Sequence, residues 1–130
     1  MINYQNIQDS IDHFNNENFK RVESPWTVTK EIADITMPPG WEHFSITEKN
    51  KVLVGSGEQS FLYLYLKEFL PKGKFQTVTP CFRNNSFDLT HSKYFIKNEL
   101  IDTEEPNQKG LRDMLDGAMV FLKQKYQETF

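Results

Sequence analysis

The stretch KFQTVTPCFRNNSFDLTHSKYFIKNEL, Lys74 to Leu100, decides how this chain is read. Its first part is rich in Phe, Val and Thr, a polar run from Asn84 interrupts it, and Tyr94-Phe95-Ile96 resumes the apolar pattern. That order predicts strand, polar loop, strand, with the strands near 75–83 and 92–101. Arg83 ends the first strand. In the second, side chains two residues apart share a face. His91, Lys93, Phe95, Lys97 and Glu99 fall on one side, and Tyr94, Ile96, Asn98 and Leu100 on the other. A single ring among charges marks a face turned to a ligand rather than to a core. Such a hairpin presents a cation, a ring face and a carboxylate. A nucleotide needs all three: charge for phosphates, a stacking surface for the base, and an acceptor for an amino group.

Outward from the hairpin, the pattern alternates between helices and strands. Apolar residues at 7, 11 and 14 predict a helix over Ile7 to Phe19, weakened at its end by Asn15, Asn16 and Asn18. Lys20 to Ile35 is rich in Val, Thr and Ile and reads as one or two strands broken at Ser24-Pro25. Met37-Pro-Pro-Gly-Trp41 is a turn. Two short strands are expected around Phe44–Ile46 and Val52–Val54. Ser56-Gly57-Glu58 opens an apolar helix running through Phe69, stopped by Pro71-Lys72-Gly73. Pro106 precedes a last helix, Asn107 to Gln127, with apolar residues at 111, 114, 115, 118, 121, 122 and 126 on one face. Strands between amphipathic helices predict an α+β fold, a mainly antiparallel sheet backed by helices.

Composition narrows the classes. The 130 residues are expected to form one domain, residues 1–130, and eleven phenylalanines exceed what a disordered chain carries. A formal charge of −3 argues against a nucleic-acid protein of the usual basic kind. With one cysteine, no signal peptide and no apolar run near membrane-spanning length, a cytoplasmic protein without membrane attachment is the expectation. Cys81 lies in an apolar strand and reads as a buried small side chain. His13, His43 and His91 are far apart and lack partner cysteines, so no metal site is expected.

Three segments carry a family resemblance. Pro80, Cys81, Phe82, Arg83, His91, Phe95 and Glu99 resemble motif 2 of the class II aminoacyl-tRNA synthetases, in particular the aspartate, asparagine and lysine branch. Ile7 to Glu31 resembles motif 1, a helix and a strand, with Pro25 on the family's proline. Gly55 to Leu66 resembles the segment between the motifs, where a glutamate opens a helix. The resemblance runs in order from residue 7 to residue 125. It departs in two places: Asn85 stands where the family has a glutamate, and no segment matches motif 3. The expectation is the front half of a synthetase core, without an anticodon-binding domain.

The resemblance implies roles. Arg83 would hold a phosphate of the nucleotide and stabilise charge there, and Phe95 would stack on its base, with His91, Glu99 and Asn85 alongside. Glu58, following Gly55-Ser56-Gly57, would take the ammonium of a substrate, Gly57 letting the backbone approach closely. From the residues alone, Arg83 equally reads as a strand-end ion-pair partner, Phe95 as core, and Glu58 as a first-turn acid. The resemblance admits ATP or AMP, and magnesium with them, without requiring any. It also implies a homodimer through Ile7 to Pro25, with Phe14, Phe19 and Trp26 as apolar surface to cover. The expected function is binding of an adenine nucleotide or an amino acid without tRNA charging. The alternatives are an adenylate-forming enzyme completed by a second subunit, and a purely structural dimer.

Overall fold

The computed structural model describes residues 2–84 and 94–126. Its first helix, α1 (Tyr4–Asn16), starts where the Asn3 side chain accepts from the Asn6 N–H at 3.0 Å. It stops at Asn18, whose φ of 70° suits an asparagine, and the Phe19 N–H returns to the Phe14 carbonyl at 2.9 Å. Phe14 and Phe19 then pack edge to face, ring centres 5.8 Å apart, and both are buried within the chain. They are core, so only Trp26 of the three aromatics expected to need a partner remains exposed.

The segment Lys20–Ile35 is not all strand. It contains β1 (Lys20–Arg21), β2 (Thr27–Thr29) and a short helix, α2 (Lys30–Asp34). The Thr29 hydroxyl accepts from the Ile32 N–H at 3.4 Å and turns the chain into the helix, which buries Ala33 against Val28, Val52 and Val54. Further on, β3 (Lys51–Leu53) pairs antiparallel with β2, Val28 opposite Val52. The strand expected at Phe44–Ile46 is reduced to a single bridge between Ser45 and Val52. The next helix, α3 (Gly57–Leu66), ends three residues before Phe69, because Glu68 adopts a φ of 60° and leaves the helix.

The hairpin strands are adjacent. β4 (Lys74–Phe82) and β5 (Tyr94–Asp102) pair antiparallel in nine positions, from Lys74↔Asp102 to Phe82↔Tyr94. β1 joins the other edge of β4 in parallel, giving a mixed sheet in the order β1-β4-β5. The fold is therefore α+β, with a mixed sheet backed by helices. The last helix, α4 (Gln108–Lys125), is capped by the Asn107 side chain on the Gly110 N–H at 2.9 Å. It packs on α1, where His13 Nε2 donates to the Gly117 carbonyl at 2.9 Å and Lys125 pairs with Asp9. No helix among the described residues is long and apolar enough to cross a membrane.

One amide ties these layers together. The Gln76 side chain is fully buried and donates to the carbonyls of Ile11 at 3.1 Å and Phe19 at 2.9 Å. It accepts from Asn98 at 3.0 Å, which also reaches Ser10 on α1 at 3.1 Å. Replacing it by an apolar residue of similar size strands two buried carbonyls and a donor, each costing about 1–3 kcal/mol. Gln76→Leu is expected to lower unfolding stability by about 2–5 kcal/mol in a urea titration, well beyond the cost of a surface change. A loss under about 0.5 kcal/mol would show that these bonds do not hold α1 to the sheet.

Candidate functional site

The pairing Cys81↔Phe95 puts odd-numbered residues of both strands on one face. Thr77 and Thr79 are buried on that face, their hydroxyls 2.8 and 3.3 Å from the Ser24 hydroxyl. Arg83, two residues beyond Cys81, and Phe95 therefore lie side by side. The guanidinium carbon sits 5.2 Å from the centre of the Phe95 ring and 5.9 Å from that of Trp41. Arg83 Nε donates to the Gly55 carbonyl at 2.7 Å. That bond fixes the plane of the guanidinium and leaves its two terminal nitrogens as the pair a phosphate or carboxylate accepts.

Gly55-Ser56-Gly57 is held from behind. Gln59, buried on α3, accepts from the Gly55 N–H at 2.7 Å and donates to the Ala33 carbonyl at 3.2 Å. Gly57 lies directly over Glu99 and Thr79, and a Cβ there would collide with the Glu99 side chain. The absence of a side chain is what lets α3 start this close to β5. The result is a cavity of about 260 Å³ lined by Thr36, Met37, Pro38, Trp41, Gly55, Ser56, Glu58, Gln59, Arg83, Lys97 and Glu99. Glu58 and Glu99 also border an apolar groove of about 400 Å³ beside Phe61, Leu62, Tyr65, Leu100 and Ile101.

The structure thus brings Arg83, Glu58, Glu99 and Gly57 to one place. Phe95 is half-buried and touches the cavity through Arg83 rather than lining it. Asn85 and His91 lie outside the described residues. The sequence reading missed Trp41, which it took only as part of a turn. An aromatic just after Pro-Pro-Gly, in an otherwise polar stretch, was the available signal. Lys97 was placed on the right face without a role, and it pairs with Glu99 at 3.3 Å inside the cavity.

Cys81 is fully buried under the same face. Burial pushes its thiol up, and Glu99 pushes further, against weaker opposing effects of Lys97, Arg83 and the Gly57 N–H. It is a packed thiol, not an activated nucleophile.

No family model matches the sequence, and no curated protein matches it. Solved structures do. The chain superposes on a pyrrolysyl-tRNA synthetase from Desulfitobacterium hafniense with a TM-score of 0.71 at 17% identity, covering 92% of this chain and 44% of that one. It has the fold of a class II synthetase core. A seryl-tRNA synthetase from Pyrococcus horikoshii complexed with ATP gives 0.60 at 16% identity over 72% of this chain and 24% of that one. The cytoplasmic serine-tRNA ligase of Naegleria fowleri in complex with AMP gives 0.63 at 16% identity, covering 95% and 32%. The chain spans less than half the length of each of these proteins.

Trp41 is held over Arg83 by a latch on its own loop. The His43 side chain is largely buried and its Nε2 lies 2.8 Å from Asp34 Oδ1, tying the loop to α2. His43 first and Lys30 second hold the Asp34 carboxyl below its ordinary value. A depressed folded value means the bond contributes fully above the ordinary carboxylate range and is lost as pH falls through the lowered value. Acidification is therefore expected to release the loop and change Trp41 fluorescence, read in a Trp26→Phe background. Asp34→Ala should show the released signal at neutral pH and no acid step. An unchanged acid step in that variant would mean the latch is elsewhere.

Proposed function

We propose that this chain binds an adenine nucleotide, an amino acid, or both, on the face that carries Arg83, and does not charge tRNA. The observation that carries the reading is the Arg83 guanidinium, oriented by Gly55 and flanked by the Phe95 and Trp41 rings. An oriented cation beside aromatic faces meets the two demands of a nucleotide, a phosphate partner and a stacking surface. Structures of similar fold hold ATP and AMP, which supports the same ligand class here. Glu58 would receive the ammonium of an amino acid, and Glu99 an amino group of the base. The spacing of His91, Phe95 and Glu99 favours the aspartate, asparagine and lysine branch for the motif 2 assignment.

Magnesium commonly binds one or two carboxylates together with substrate phosphates. The cavity offers no free pair of carboxylates for it: Glu99 is engaged with Lys97, and Glu58 is the acid assigned to an ammonium, so nucleotide binding here is proposed without the metal. The preference for binding over adenylation rests on cations. Adenylation develops charge on a leaving pyrophosphate that needs its own stabilisation. Lys97, the other cation lining this cavity, is engaged with Glu99.

Thermal shift and calorimetry with ATP, AMP and each amino acid test the reading. Binding is expected in the micromolar to millimolar range, about 4–8 kcal/mol, and Arg83→Ala should weaken nucleotide binding at least tenfold. No stabilisation by any of these ligands would end the proposal. Amino-acid-dependent pyrophosphate exchange, lost in Arg83→Ala, would instead make the chain an adenylating enzyme.

A further inference from the structure

The last helix is amphipathic twice over. One arc, Gly110, Met114, Gly117 and Phe121, faces the body of the protein. Next to it lies a second apolar stripe, Leu111, Leu115, Met119, Leu122 and Tyr126 at the helix end, each 38% to 56% exposed. Nothing among the described residues covers it. The steps between these residues are four, four, three and four, the spacing of a seam that packs against another helix. A stripe some four turns long is more than scattered surface leucines.

We infer that this stripe is a self-complementary interface, on which α4 of a second copy of the chain lies antiparallel across a two-fold axis near Met119. Run in opposite directions, the two stripes match. Leu111 of one copy meets Tyr126 of the other, Leu115 meets Leu122, and Met119 meets itself. Charge fixes the direction. The stripe is flanked on its solvent side by Arg112, Asp116 and Lys123, all exposed. Antiparallel packing sets Asp116 of each copy beside Lys123 of the other, twice by symmetry. Parallel packing would place this flank of the two copies on opposite sides of the seam, where Asp116 and Lys123 do not meet. The antiparallel arrangement also sets the helix dipoles in opposition. The interface is distinct from the Ile7–Pro25 region, whose Phe14 and Phe19 the chain buries itself. It leaves the cavity around Arg83 uninvolved.

Sedimentation velocity over a concentration series tests the interface, with circular dichroism confirming that each variant is folded. The wild-type chain is expected to dimerise, and the Leu115→Glu/Leu122→Glu variant to remain a folded monomer. Asp116→Lys and Lys123→Asp should each weaken the dimer at least tenfold. An equimolar mixture of the two should form a heterodimer, and the double variant Asp116→Lys/Lys123→Asp should regain the homodimer. A strictly monomeric wild-type chain would overturn the inference. So would a dimer indifferent to Leu115→Glu/Leu122→Glu, which would place the contact elsewhere. A dimer that fails with the leucines but ignores the charge changes would overturn the antiparallel arrangement.

Discussion

The register of β4 on β5 is the constraint on which the rest of this structure depends. With Cys81 opposite Phe95, even-numbered side chains turn to α1 and odd-numbered ones to α3 and the cavity. Gln76 and Asn98 reach α1 on one side; Arg83, Phe95, Lys97 and Glu99 gather on the other. A slip of one residue on either strand would put an amide under α3 and a ring under α1. The Gln76 hydrogen bonds therefore do more than satisfy buried groups. They are available in only one register, so the network that holds α1 to the sheet also fixes which side chains form the cavity.

Much of the fold was legible because it rests on long periodic segments. The alternation through β5 gave the correct faces, and the spacing in α1 and α4 gave two helices within a few residues of their ends. What was missed has physical causes. α2 is five residues long, too short to show a helical period, and its Ile and Thr neighbours favour strands. A single hydroxyl, Thr29, and the burial of Ala33 turn it into a helix. The apolar positions read on α4 left out Met119 and Val120, and periodicity does not say how much of an apolar arc the body will cover. Here it covers Met114 and Phe121 and leaves Leu111, Leu115 and Leu122 outside.

The candidate site divides in the same way. Phe95 and Glu99 could be placed on one face from strand alternation, whereas Arg83 and Glu58 were brought beside them only by the family resemblance. Trp41 could not be placed, because its position depends on contacts made far along the chain. It stands beside Arg83 because His43 ties its loop to Asp34, and because Gln59 joins Gly55 to α2. These are long-range tertiary bonds with no local sequence pattern.

On the proposed reading, the charges around the cavity discriminate between ligand classes. Four ionisable side chains line it: Arg83 and Lys97, Glu58 and Glu99. Lys97 and Glu99 are neighbours two residues apart on one strand face, and at 3.3 Å they largely neutralise each other. Arg83 and Glu58 remain as the unlike pair that an incoming ligand meets. A ligand with an anionic group at one end and an ammonium at the other complements that pair without leaving a charge desolvated. A free amino acid has this form; so does the aminoacyl end of an adenylate. A bare nucleotide satisfies Arg83 but brings its negative charge toward Glu58. Nucleotide affinity should therefore rise in Glu58→Gln, while amino-acid affinity falls. Calorimetry on that variant separates the two ligand classes: a fall in both would mean that Glu58 supports the cavity rather than selecting its occupant.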